Sequence, residues 1–245
     1  MKNIKLKNKI AVVTGACGGI GSALIKRLVE NQVFCIMIDI NKNLNSDLGL
    51  FVNQDKGEYF SIDLTNTQEI NKFCSNLSSK FKRIDFLYNI AGVGIYKKIE
   101  DLTIEEWNLS LNLNLTAPFY LTKKLINLLQ ISDAPLVFNV GSGMGVMPTV
   151  GRSAYCSSKF GLRGLTLSLA KEFKGKKIKF QLLTLGSVMT GFGTGGVTRK
   201  LDLQKIGKNY LTPESVSDKI IRTTLDKDSP SEIEFYPDGY KEENA

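Results

Sequence analysis

There is no histidine among the 245 residues, and this removes every catalytic scheme built on imidazole, the Ser-His-Asp and Cys-His hydrolases included. A proton-transfer residue must then be tyrosine, lysine, cysteine or a carboxylate. Cysteine is scarce too: Cys17, Cys35, Cys74 and Cys156 lie far apart with no C-x-x-C pair, so no zinc site is expected and the thiols should be reduced. No apolar run approaches the roughly 20 residues that cross a bilayer. The start, residues 1–9, interleaves lysine with Ile4 and Leu6 instead of forming the apolar core of a secretory signal. The expectation is a cytoplasmic protein with no metal and no membrane partner.

The rest of the composition is that of a soluble globular chain, 42% hydrophobic and 23% charged. The net charge of +8 comes from dispersed lysines. The densest group (Lys171, Lys174, Lys176, Lys177, Lys179) falls at a predicted helix end, where it complements the helix dipole. No basic helix with base-reading aromatics appears, so no nucleic-acid partner is expected.

Short apolar runs at 9–14, 33–39, 58–62, 84–90, 135–140, 178–185 and 232–236 predict seven strands. Helical periodicity at 20–30, 67–81, 104–129, 153–173 and 213–225 falls between them. Strands alternating with helices imply an α/β fold, a single-domain Rossmann-type doubly wound parallel sheet over residues 1–245, with helices on both faces. Five glycines crowd 186–196 directly after a strand, so 186–210 is expected to be a mobile substrate loop beyond the carboxyl ends of the strands.

The turn after the first strand reads Thr14-Gly15-Ala16-Cys17-Gly18-Gly19-Ile20-Gly21 and opens the first helix. Glycine lets backbone amides approach a pyrophosphate, and the helix N-terminus adds unpaired N–H groups. Its G-x-x-x-G-x-G spacing resembles the short-chain dehydrogenase/reductase family. Asp39 ends the second strand, 18 positions after Gly21, where a carboxylate can accept both ribose hydroxyls of an adenosine. It would repel a 2′-phosphate, and neither Gly18 nor Ile40 offers a cation, so NAD is expected over NADP, with Lys42 the one compensating charge. Tyr155 and Lys159 stand at i and i+4 on one helix face. An ammonium there, with a cationic nicotinamide ring, favours phenolate and prepares Tyr155 to exchange a proton with a substrate oxygen.

The resemblance extends over nearly the whole chain. Ser142 lies thirteen positions before Tyr155, like the family's catalytic serine, and Asn114 lies seven after Trp107, like its asparagine; Asn112 is the decoy. Asp63-Leu64 looks like the adenine contact, and Asn89-Ile90-Ala91-Gly92 like the N-N-A-G turn. Gly186, Val188 and Thr190 match the segment at the nicotinamide end, and Cys17, Gly18, Gly19, Ile20 and Ile40 complete the implied cofactor contacts. Leu185 replaces a usual proline, which leaves that bend less rigid, and Ile90 and Gly141 are milder departures.

The resemblance implies hydride transfer between NAD(H) and a small secondary alcohol or ketone. In that scheme Tyr155 is acid/base, Lys159 bonds the nicotinamide ribose, Ser142 holds the reacting oxygen and Asn114 holds a relay water. It also implies a homodimer or homotetramer paired through 114–129 and 153–173. The alternatives are a catalytically silent nucleotide-sensing or scaffold protein of the same fold and, less fittingly, an epimerase or dehydratase of the extended relatives.

Substrate selection should lie in 93–99, 143–153 and 186–210, with 143–147 an apolar, adaptable wall and Tyr96 able to stack. Cys17, at a helix N-terminus, is expected either to be an acidic thiol whose oxidation blocks the cofactor or an inert small residue beside a phosphate.

Overall fold

The computed structural model describes residues 5–239, so the first four residues of the lysine-interleaved start lie outside the described ones. The seven strands are β1 (Ile10–Thr14), β2 (Phe34–Asp39), β3 (Gly57–Ser61), β4 (Phe86–Asn89), β5 (Leu136–Val140), β6 (Lys179–Leu185) and β7 (Glu232–Phe235). All are parallel, in one sheet of order β3-β2-β1-β4-β5-β6-β7. A parallel sheet needs a crossover after every strand, and the helices that make them cover both faces. This is why the strands read as near-continuous apolar runs. In β1, Val13 enters a core with Leu24, Met37, Tyr88, Phe138 and Ile220, while Val12 enters the opposite core with Ile36, Phe73, Leu87, Leu121 and Phe180.

The helices are α1 (Gly19–Glu30), α2 (Ser46–Asn53), α3 (Thr67–Lys80), α4 (Ile104–Leu111), α5 (Ala117–Ile131), α6 (Ser153–Glu172), α7 (Gly196–Lys205) and α8 (Pro213–Leu225). Two of them escape the periodicity. α2 is short and buries only Leu48, its start set by the Asn45 side chain accepting from Leu48 N–H at 2.9 Å; α7 buries no residue at all. A helix that packs no stripe into the core leaves no 3.6-residue signal.

The expected helix over 104–129 is divided. A π-turn, Asn112–Thr116, separates α4 from α5, with Ala117 N–H donating to the carbonyl of Asn112. Pro118 explains the break: it has no N–H for the carbonyl of Asn114 four residues back, so the ladder widens there.

At the opposite end of the sheet from the glycine turn, the fully buried Asp85 collects donors from several elements. Its oxygens accept from Ile10 N–H (2.9 Å), Lys9 Nζ (3.0 Å), the Ser132 hydroxyl and Arg83 Nε (3.3 Å). Burial alone would raise its pKa, but Ser132, Ile10 and Lys9 outweigh it and hold the carboxyl below the usual 3.8. A depressed carboxyl stabilises the fold above its unfolded pKa and loses that contribution as pH falls. Asp85→Asn should therefore cost about 1–3 kcal/mol at pH 7. In chemical denaturation at a series of pH values, its deficit against the wild type should shrink as pH falls below 4.

Candidate active site

The sheet order reverses at β1 and β4, and the crevice opens beyond their carboxyl ends. Thr14 joins the two strand ends: its hydroxyl accepts from Ile90 N–H (3.0 Å) and Ala91 N–H (3.1 Å) and donates to the carbonyl of Tyr88 (3.4 Å). The next residue, Gly15, turns with φ +69°, and a Cβ there would come within 2.9 Å of the Ala91 backbone. Gly21 is equally constrained, since its Cβ would collide with the carbonyl oxygen of Gly15. Only glycine permits the chain to double back so tightly into α1.

Gly18 caps α1 without a side-chain bond, and the first turn holds no acid. The N–H groups of Gly19, Ile20 and Gly21 have no acceptor within the helix, and none of them donates a hydrogen bond among the described residues. Three donors at the positive end of a helix fit a dinucleotide diphosphate. Asp39 lies beside them, one oxygen accepting from Cys17 N–H at 2.9 Å and the other from the Asn41 backbone (3.1 Å) and side chain (2.9 Å). Oδ1 already accepts two bonds from Asn41, so the room left for a ribose hydroxyl is the second lone pair of Oδ2, which accepts only from Cys17.

The acidic-thiol expectation for Cys17 does not hold. Its pKa is raised: burial dominates, the Tyr59 hydroxyl bond opposes it, and the Asp39 charge adds to it. The helix N-terminus is outweighed by desolvation beside a carboxylate.

A cleft of about 960 Å³ runs from this turn along the strand ends. Gly15, Cys17, Gly18, Gly19, Ile20, Gly21, Asp39, Ile40, Asp63 and Leu64 line its first part, and Ala91, Gly92, Ser142, Tyr155, Lys159, Gly186, Val188 and Thr190 the remainder. Two expected residues stay off the wall. Asn89 is turned into the core, where Nδ2 donates to Asn139 Oδ1 at 2.8 Å. Asn114, fully buried on the π-turn, accepts from Val93 N–H (2.8 Å) and donates to the carbonyl of Val93 (2.9 Å) and to the Ser158 hydroxyl (3.0 Å). It flanks the cleft at Gly92, where a Cβ would lie 2.9 Å from Asn114 Oδ1 and 3.9 Å from Lys159 Nζ. Asn112 is exposed. Of the run 143–147 only Met144 lines the cleft; Gly143–Gly145 is a 3₁₀ turn packed so closely that a Cβ on Gly145 would meet the Lys159 carbonyl at 2.9 Å.

Tyr155 and Lys159 are both 5% exposed, with Lys159 Nζ 5.8 Å from the centre of the Tyr155 ring and donating to the carbonyl of Val140 at 2.8 Å. Burial pushes the Lys159 ammonium down to about 8. The Tyr155 ring also meets Tyr96 edge-on at 5.5 Å and Phe192 at 5.9 Å, side chains from the loops after β4 and β6. The β6 loop lacks its usual proline, and Lys200 of α7 braces it instead, Nζ donating to the carbonyls of Val188 (3.0 Å), Thr190 (2.9 Å) and Phe192 (2.8 Å). Thr190 is thereby set against the glycine turn, where a Cβ on Gly19 would meet its methyl group at 2.7 Å. Arg152, Phe192, Arg199 and Lys200 line the cleft from within the expected substrate-selecting segments 143–153 and 186–210, but no motif singles them out and α7 has no core-facing period.

The folded Lys159 loses its proton near pH 8 and the unfolded one near 10.5, so between these values the unfolded chain binds more protons and stability rises with pH. Denaturant titrations should show Lys159→Met more stable relative to the wild type at pH 7 than at about pH 10, where the gap closes.

Comparison with known proteins gives the family and agrees with the fold. Residues 9–198 match the short chain dehydrogenase family profile. An NAD-dependent glycerol dehydrogenase of Listeria innocua is 28% identical over 78% of this chain and 75% of its own. The 3-oxoacyl-(acyl-carrier-protein) reductase FabG of Rickettsia bellii is 30% identical over 89% of both chains. A solved 4-hydroxyisoleucine dehydrogenase complexed with NADH superposes with a TM-score of 0.83, with 27% identity over 95% of this chain and 98% of its own. The match spans well over half the sequence, and the chain belongs to the short-chain dehydrogenase family.

Proposed function

We propose that this protein interconverts a secondary alcohol and a ketone with NAD(H), using Tyr155 as the acid/base. The observation that carries the reading is a buried tyrosine one helical turn from a buried lysine, in the same cleft as a glycine-cradled helix N-terminus. The bound nicotinamide would accept or deliver the hydride. Ser142 is half-buried on the cleft wall, its Oγ accepting from Met144 N–H at 3.1 Å and its proton left to orient a substrate oxygen. The Lys159 charge stabilises negative charge on the Tyr155 oxygen. Asn114 holds the backbone at Val93 and so shapes the passage beside Lys159. Segment 186–210, braced by Lys200, is the substrate loop.

The preference for NAD rests on the adenosine end, where Asp39, Ile40, Asn41, Asp63, Leu64 and Thr65 line the cleft with no cation and Lys42 does not reach the wall. NADP is the runner-up cofactor. For assembly, exposed Phe119 and Phe160 on α5 and α6 support pairing of copies through these helices as a homodimer or homotetramer.

Nicotinamide absorbance, followed with both cofactors and a panel of alcohols, polyols, hydroxy acids and acyl thioesters, tests the chemistry. Tyr155→Phe should lose at least about 100-fold in kcat while binding cofactor normally. Asp39→Ala should weaken NAD and narrow its margin over NADP. Cofactor binding without turnover of any panel member would favour the nucleotide-sensing reading. Light scattering should return a dimer or tetramer at micromolar concentration; a monomer removes the assembly claim.

A further inference from the structure

The charges along the cleft are segregated. Among the described residues, its lining carboxylates are Asp39 and Asp63, both at the adenosine end, whereas Arg152, Arg199, Lys200 and Lys208 line the end beyond Tyr155 with no described carboxylate among them. These cations are not equivalent. Lys200 is consumed by three carbonyl oxygens, and Arg199 lies on the exposed side of α7, folded over Gly195. Arg152 is half-buried immediately before α6 and sits on the wall shared by Tyr96, Met144 and Tyr155.

Two features of Arg152 point to a ligand. Its guanidinium lies over the Tyr96 ring with Cζ 4.1 Å from the centroid, and the same ring meets Tyr155 at 5.5 Å. A cation held over an aromatic ring in this way keeps N–H groups available to an oxyanion. Those groups have one acceptor, the weakly accepting sulfur of Met144, 3.4 Å from Nη1. No carboxylate forms an ion pair with Arg152 among the described residues, and Glu106 on neighbouring α4 is already bound by Lys97 and by Thr103 N–H. A guanidinium held by an aromatic face inside a cleft, with most donors unmatched, is prepared for a bidentate oxyanion.

We infer that Arg152 binds an anionic group of the substrate, so that the molecule oxidised or reduced at Tyr155 is a short hydroxy or keto compound bearing a carboxylate or phosphate. The inference rests on the oxidoreductase reading for the reacting carbon, but the anion site stands on its own geometry. The separation between Arg152 Cζ and the Tyr155 ring is at most the sum of the two ring distances, which a chain of a few carbons spans. Arg152 also differs from the α1 amides, which come from another wall and would hold the cofactor diphosphate.

The test uses pairs of ligands that differ only in charge, bound to the protein with an oxidised nicotinamide cofactor so that no ketone can react. The pairs are 4-oxopentanoate with 4-oxopentanamide, and dihydroxyacetone phosphate with dihydroxyacetone. Calorimetry should show at least one anion binding roughly 10- to 100-fold tighter than its neutral partner, the pair concerned separating carboxylate from phosphate. Arg152→Gln should erase that margin without changing cofactor affinity, and Arg152→Lys should restore part of it. Anions binding no better than neutral partners, equal weakening of both in Arg152→Gln, or a loss confined to the cofactor would each overturn the proposal. If neither dinucleotide binds, the oxidoreductase reading fails, and the same titrations on the free protein decide the anion site separately.

Discussion

The Thr14 hydroxyl, accepting two backbone N–H groups from the turn after β4, is the contact on which the site depends. β1 and β4 are neighbours only because the chain crosses from one half of the sheet to the other at this point. Two turns leaving adjacent parallel strands must either diverge or be tied. Thr14 ties them, and the absence of a side chain at Gly15 lets the tie close to backbone contact with Ala91. The α1 amides on one side and Gly92 on the other are positioned from this seam. A bulkier residue at Gly15 would push apart both walls, which explains why a left-handed glycine stands where the two halves meet.

Lys159 shows how burial and function compete at one residue. Placing an ammonium at 5% exposure costs desolvation, and the protein offsets it with the carbonyl of Val140, at the end of β5, in place of a carboxylate. A carboxylate would hold the charge more firmly but would cancel its field at Tyr155. The neutral acceptor leaves the charge effective and the lysine easily deprotonated, as its lowered pKa records. Asn114 acts on the other side by gripping both backbone groups of Val93, made possible by the widened π-turn that carries it.

Most of the fold was legible because a parallel sheet covered on both faces writes itself as short apolar runs, and all seven strands lie where those runs fall. The features that escaped have local causes. α2 and α7 bury almost nothing, so no apolar period betrays them, and the break before α5 follows from a single Pro118 inside otherwise regular helical sequence. Among site residues, those in local motifs could be found from spacing alone, since Tyr155 and Lys159 must share a face of any helix that contains both. Asn89 shows the limit: it stands within a matched turn, yet the side chain points into the core toward Asn139.

The sequence by itself determined the strand order along the chain, the glycine cradle and the pairing of phenol with ammonium, because each depends on neighbours within a turn or two. Tertiary structure decided what distant segments contribute to one wall. Only folding brings Arg152, Tyr96 and Phe192 around the Tyr155 ring, sets Lys200 beneath the loop after β6, and turns the Cys17 thiol less acidic than its place at a helix N-terminus implies. Stacking, desolvation and charge segregation are properties of surfaces assembled from remote residues, and no local pattern encodes them.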